Sequence, residues 1–217
     1  MAVSYNPGIV TSNLIACFDP GNPRTYPGSG TTIRDASGSS VTGTLTNGPT
    51  YSSVNGGVFV LDGVNDFIDI PINLTSTNYT IIGAARYVTI GGRTFSAKNN
   101  NWLMGHWSTS TENYFAEGWV AGSGTGGPVP SDTNWRIYAA TGNISSDNYA
   151  LYVNGSLAST QSPTSGSAGP NGFAIGSYAA SSEFSNSQIG VMLVYNAVLT
   201  ADQIVQNFNA YRGRYGL

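Results

Sequence analysis

The chain predicts an all-β sandwich with one short C-terminal helix, and three observations carry the prediction. Tyr149–Val153 alternates faces with period two and runs into Asn154-Gly155. That dipeptide accepts positive φ at both central positions of a type I′ turn, so the segment reads as a β-hairpin. Short β-prone runs, each ended by Gly, Asn, Asp or Pro, recur from residue 9 to residue 199. Forty per cent hydrophobic residues, with 13 Tyr, 8 Phe and 4 Trp, supply a core, while only 9% of the chain is charged. A disordered chain needs the opposite balance. At 217 residues the whole of 1–217 fits one undivided all-β domain.

Taken in order, residues 9–18 end in a strand that Asp19-Pro20-Gly21-Asn22-Pro23 cuts. Residues 19–31 hold too many prolines and glycines for regular structure and form a long loop anchored by Tyr26. A short strand is expected around Val41–Leu45. Val58–Leu61 and Phe67–Ile72 follow as strands joined by Asp62–Asp66, read as a hairpin connection. Ile68, Ile70 and Ile72 share one face while Asp69 and Pro71 share the other, which suggests a half-buried strand near an edge. Tyr79–Thr89 is a strand with an almost continuous apolar side. Weaker strands are expected at Trp102–Trp107 and Tyr114–Val120, ahead of the glycine-rich loop Gly122–Pro128. Trp135–Ala140, Tyr149–Val153, Phe173–Tyr178 and Ile189–Tyr195 complete the set, with a second loop at Ser162–Gly172. Either loop would serve as a partner contact or as a plain loop tip.

The helix begins at Thr200. Thr200 and Gln203 have capping-box spacing, and Leu199 and Ile204 form a hydrophobic staple. Ile204, Phe208 and Tyr211 make one apolar stripe, Arg212 sits where the dipole favours a cation, and Gly213 is the expected left-handed stop. The helix is expected to close one end of the sandwich.

Eight basic and eleven acidic residues give a formal charge of −3, so the chain lacks the basic footprint of a nucleic-acid binder. Cys17 is the single cysteine, which excludes an internal disulfide and makes it a small core hydrophobe. No apolar run approaches the ~20 residues of a membrane helix, so no membrane partner is expected. The N-terminal residues show no basic-then-apolar signal pattern, so synthesis in a cytosol without a secretion signal is expected.

Four blocks then line up in order: Phe18–Gly30, Leu61-Asp-Gly-Val-Asn-Asp-Phe-Ile68, Leu151-Tyr-Val-Asn-Gly155, and Ile189 to Ile204. This arrangement resembles the laminin-G-like branch of the concanavalin A-like lectin/glucanase superfamily. In particular it is similar to stand-alone copies among virion structural proteins of tailed bacteriophages, especially those of cyanobacteria. The resemblance implies a jelly roll of two curved antiparallel sheets. It does not by itself fix function, because such sandwiches host enzymes, lectins and inert modules alike.

Glucanases of that superfamily carry their two carboxylates on one strand as Glu-x-Asp-x-x-Glu, about 5 Å apart for a retaining mechanism. Glu112, Glu117 and Glu183 are the three glutamates here, and none lies in that pattern. His106, the single histidine, lacks a nucleophile-elbow motif nearby and reads as a packed residue. No catalytic residue is therefore assigned, and the protein is expected not to be an enzyme. Asp19, Asp62, Asn65 and Asp66 offer hard oxygens of the kind Ca²⁺ takes, six to eight at a time. Asp-Gly and Asn-Asp are equally what an Asx-stabilised turn requires, and the turn is preferred. A sugar site is offered by Trp102, Trp107, Tyr114, Trp119 and Trp135, with Tyr138, interleaved with Asn and Ser over residues 99–138. The same aromatics suit a sandwich core, and the sequence leaves both readings open. Trp135 and Tyr138 cannot face one side of a regular strand, which places at least one of them outside the core.

These features lead to the expectation of a non-enzymatic virion protein, an accessory capsid (decoration) or fibre-type module. Its partners would be neighbouring capsid or tail subunits or further copies of itself, with weak contacts to host-surface glycans. A dedicated glycan-binding adhesin is the alternative, and a glycoside hydrolase the least favoured.

Overall fold

A computed structural model describes residues 8–122, 129–162 and 168–217. The strands are β1 (Leu14–Phe18), β2 (Thr32–Arg34), β3 (Thr42–Thr46), β4 (Thr50–Ser52), β5 (Val58–Asp62) and β6 (Phe67–Asn73). They continue with β7 (Tyr79–Thr89), β8 (Arg93–Ser96), β9 (Trp102–Trp107), β10 (Ser110–Ala116), β11 (Trp119–Ala121) and β12 (Val129–Pro130). The last are β13 (Arg136–Asn143), β14 (Asn148–Val153), β15 (Ser156–Gln161), β16 (Asn171–Ile175) and β17 (Asn186–Tyr195), followed by helix α1 (Ala201–Tyr215). Among the described residues no helix is long and apolar enough to cross a membrane.

One layer is an eight-stranded antiparallel sheet in the order β15-β14-β13-β7-β17-β5-β4, with β1 also on β17. The facing layer has two antiparallel parts, β11-β10-β9-β8 with β12, and β16-β6-β3-β2. The parts are stitched between β8 and β16 by the Ala97–Phe173 bridge and the backbone bonds Lys98–Gly172, Asn99–Asn171 and Gly176–Thr94. The result is the expected jelly-roll sandwich. Ile68, Ile70 and Ile72 of β6, Phe95 of β8, Trp102 and Met104 of β9, and Tyr114 of β10 meet Tyr79, Ile81, Tyr138 and Val194 of the large sheet in one core.

The alternation in β6 places Asp69 and Pro71 on the outer face, as read, but β6 lies between β3 and β16 and is not near an edge. Proline is tolerated because β3 pairs only as far as Asp69 and the register against β16 shifts between Ile70 and Asn73. Asp62–Asp66 is not a hairpin either: β5 and β6 belong to opposite layers, so the segment is a crossover. At Asn154-Gly155 the expectation holds, with φ of 50° and 79° closing β14 onto β15.

The other face of the large sheet is also dry. Ile82, Ala84, Ile137, Ala139, Val191 and Leu193 alternate with the interlayer residues and lie beneath Ile204 and Tyr215 of α1. The helix thus covers a sheet face rather than closing an end. Its capping box forms between Thr200 and Gln203. Gly213 lies inside the last turn, and the left-handed stop is Gly216 at φ 72°.

Candidate functional site

The sugar-type aromatics of residues 99–138 divide by the register of the strands that carry them. Trp102 and Tyr114 point inward and are fully buried. The Trp102 indole donates to the Tyr79 hydroxyl at 3.0 Å, Tyr79 bonds Tyr114 at 2.6 Å, and Tyr114 donates to the Thr141 carbonyl at 3.1 Å. This relay links the two layers, and neither residue can meet a ligand at the surface. Trp135 and Tyr138 do face opposite sides, yet both are buried. Tyr138 lies in the interlayer core, and Trp135 sits 4.6 Å from the Tyr215 ring under α1. The inference that one lies outside failed because the sheet is covered on both faces.

Trp107 and Trp119 remain, and Phe115, which sequence reasoning passed over, joins them. All three are half-buried on the outer face of the β9–β10–β11 sheet. The Trp107 and Trp119 rings lie 5.4 Å apart at 38°, and Phe115 meets Trp119 edge-on at 5.1 Å. Glu183 arrives from the turn before β17. One of its oxygens accepts from the Trp107 indole at 2.8 Å and from Arg93 Nε at 2.6 Å. The Arg93 guanidinium lies 4.2 Å from the Tyr178 ring and donates to Asn101 Oδ1 at 2.9 Å. The Asn101 amide in turn donates to Glu117 at 3.0 Å. An aromatic surface is thus framed by a half-exposed carboxylate and a paired, buried arginine.

The frame is strained. Ser108, Glu112, Glu117, Ala179, Ala180 and Glu183 all adopt φ between 48° and 60°. Left-handed backbone is uncommon outside Gly, Asn and Asp, and such outliers concentrate where a site over-determines its geometry. All three glutamates belong to this group, a signal no periodicity could reveal.

Each of the three glutamates has a polar partner of its own. Glu112 faces Arg136 at 3.7 Å, Glu117 is engaged by Asn101, and Glu183 by Arg93. His106 is fully buried between the Tyr87 and Tyr138 rings, at 4.6 and 5.5 Å, with Nδ1 3.3 Å from the Tyr138 hydroxyl. Desolvation, together with the Arg136 charge, pushes its pKa down to about 3. Cys17 is buried, and desolvation followed by Asp19 and Asp35 pushes its thiol up to about 12, so it stays protonated.

The four hard-oxygen residues do not assemble. Asp19 accepts from Arg214 Nη1 at 2.6 Å, and that arginine also holds the Gly57 carbonyl just before β5. Asp62 ends β5, five residues beyond Gly57 or roughly 16 Å along the strand at 3.3 Å per residue, so it lies at the other end of β5 from the Arg214 contact. Asp62 Oδ1 accepts from the amides of Val64 at 2.8 Å and Asn65 at 3.4 Å, so the segment is an Asx turn. Asp66 is buried and accepts from the Asp62 amide, and desolvation raises its pKa. Among the described residues no group of three or more His, Cys, Asp or Glu is placed to hold a metal. Of the two loop candidates, residues 123–128 and 163–167 lie outside the described residues.

Residues 62–205 match a laminin-G family model described as concanavalin A-like lectin/glucanases superfamily, about two thirds of the chain. No curated protein matches in sequence. Among solved structures, the chain is similar to domain 4 of AbnA, an extracellular GH43 arabinanase of Geobacillus stearothermophilus, solved in complex with arabinotriose. The TM-score is 0.66 at 20% identity, covering 90% of this chain and 98% of that domain. Trypanosoma rangeli sialidase, solved with sialic acid, gives 0.67 at 14% identity over 95% of this chain but only 36% of the sialidase. The binding domain of Paraclostridial Mosquitocidal Protein 1 gives 0.64 at 16% identity, over 93% and 53%. At these identities the likeness is one of fold.

Proposed function

We propose that this chain, which belongs to the concanavalin A-like lectin/glucanases superfamily, binds carbohydrate without cleaving it, through Trp107, Phe115 and Trp119. The outer-face aromatic trio beside Glu183 is the observation that carries this reading. Aromatic faces cover the apolar side of a sugar ring, and the carboxylate accepts from its hydroxyls. A domain of the same fold, similar over nearly its full length, was solved with arabinotriose, which supports it further. The non-cleaving part of this reading is supported by each glutamate being engaged by a partner of its own.

The test is a panel of neutral and acidic polysaccharides followed by calorimetry on the tightest. Trp119→Ala should weaken that binding about thirtyfold, the ~2 kcal/mol of a hot-spot aromatic, with the melting temperature nearly unchanged. A wild-type affinity in that variant, or binding to none of the panel, would overturn the reading.

A second reading puts the module on a phage particle, as an accessory capsid or fibre-type protein. It is favoured by exposed Val64, Val88 and Ile90, which the pairing of Asp62 and Thr89 with Asn186 gathers at one end of the sandwich. That apolar end suits packing on neighbouring subunits. Mass spectrometry of purified virions should find the protein in stoichiometric amount, and its absence would remove this reading.

A further inference from the structure

The outer face that bears the aromatic platform carries a second feature. At the β3–β6 end of the same layer is an open cleft of about 350 Å³. The hydroxyls of Thr42 and Thr44, the Asp69–Lys98 ion pair and the Asn99 amide line it, over Pro71. On the strands the lining side chains alternate with core residues: Thr44 with Leu45, Asp69 with Ile68 and Ile70. The cleft therefore shares its face with Trp107, Phe115 and Trp119. Resting on the carbohydrate-binding reading above, we propose that this cleft is a second sugar subsite, and that the ligand is an extended, uncharged glycan chain lying across both.

The chemistry fits hydroxyl-rich matter. Thr42 and Thr44 donate and accept, Asn99 does both, and the ion pair offers fixed donors beside fixed acceptors without net charge. A charged ligand would find Lys98 already neutralised by Asp69 and Arg93 by Glu183. Gly172 keeps the space open. At φ 66° a side chain there would be strained, and its Cβ would stand 3.3 Å from both the Lys98 Cβ and the Asn99 amide.

The two features are continuous. Lys98 and Asn99 line the cleft, and Asn101 of the same β8–β9 turn bonds Arg93 and Glu117 beside the platform. Three strand spacings separate β6 from β9, roughly 14 Å at 4.7–4.9 Å each, a span that needs an oligosaccharide rather than one ring.

Chain-length dependence tests it. Calorimetry with a neutral oligosaccharide series, from disaccharide to hexasaccharide, of the polysaccharide that binds best should show affinity rising with length. Thr44→Trp, which fills the cleft from an exposed position, and Asp69→Asn should each weaken the hexasaccharide about tenfold, one or two hydrogen bonds' worth. Both should leave the disaccharide within about twofold of wild type. Trp119→Ala should weaken every member of the series. Equal affinity for all lengths, or Thr44→Trp binding the hexasaccharide as wild type, would overturn the second subsite while leaving the platform in place. Tighter binding of a uronate or sialylated series than of the neutral one would overturn the uncharged ligand. Loss of all binding in Thr44→Trp with an intact melting temperature would mean that the cleft is the primary site, which would overturn the proposal together with the platform.

Discussion

Trp102→Ala should lower the melting temperature by about 6–20 °C, since removing a buried Trp costs roughly 3–5 kcal/mol and each kcal/mol shifts a chain of this size by about 2–4 °C. The indole is fully buried and packs edge-on against Tyr79, Tyr114 and Phe173 at 6.3, 5.8 and 6.0 Å. Its N–H is the first donor of the relay that ends on the Thr141 carbonyl. Truncation opens a cavity and deprives the Tyr79 hydroxyl of a partner in a place water does not reach. Differential scanning calorimetry decides it. A near-wild melting temperature with lost glycan binding would return Trp102 to the surface role that its composition first suggested.

Acid should weaken the fold through His106. Its pKa is depressed to about 3 in the folded state against an ordinary 6.5, so between these values the unfolded chain binds a proton that the folded chain does not. Stability is complete above pH 6.5 and falls as the pH drops toward 3. By pH 4.5 the loss is about 3 kcal/mol from this one ring. Asp132, held low by its bond to Arg136, adds a loss of the same sign only below the ordinary carboxylate range. Urea titrations at pH 7.5 and 4.5 should show the fall in wild type and a much smaller one in His106→Leu. An unchanged difference in the variant would place the acid sensitivity elsewhere.

What the sequence disclosed and what it hid differ for physical reasons. Local chemistry was legible: the Asn154-Gly155 turn, the Thr200–Gln203 capping box and the alternation of Ile68, Ile70 and Ile72 depend on neighbours a few residues away. Partnership between strands was not. Nothing in Asp62–Asp66 distinguishes a hairpin from a crossover, because the same Asx turn serves both. Gly213 and Gly216 both qualify as helix stops, and the fold chose the later, where Arg214 reaches Asp19 and the Tyr215 hydroxyl accepts from the Val191 amide.

The site was half legible for the same reason. The stretch 99–138 held the right residue types, but sorting Trp107 and Trp119 from Trp102 and Trp135 needs the register. The shift between Ser110 and Asn113 in the β9–β10 pairing breaks any simple count of odd and even positions. A sheet dry on both faces removes the remaining rule, that an aromatic facing away from one core is exposed. Glu183 and Arg93 lie ninety residues apart and meet only through the stitching of β8 to the turn before β17.

The most direct measurement is the set of four tryptophan indole N–H signals in a ¹⁵N-correlation spectrum during titration with a bound oligosaccharide. The signals of Trp107 and Trp119 should move, while those of Trp102 and Trp135, held in the interior, stay in place. Saturation with the Trp107 and Trp119 signals unmoved would contradict an aromatic platform as the place where this protein meets sugar.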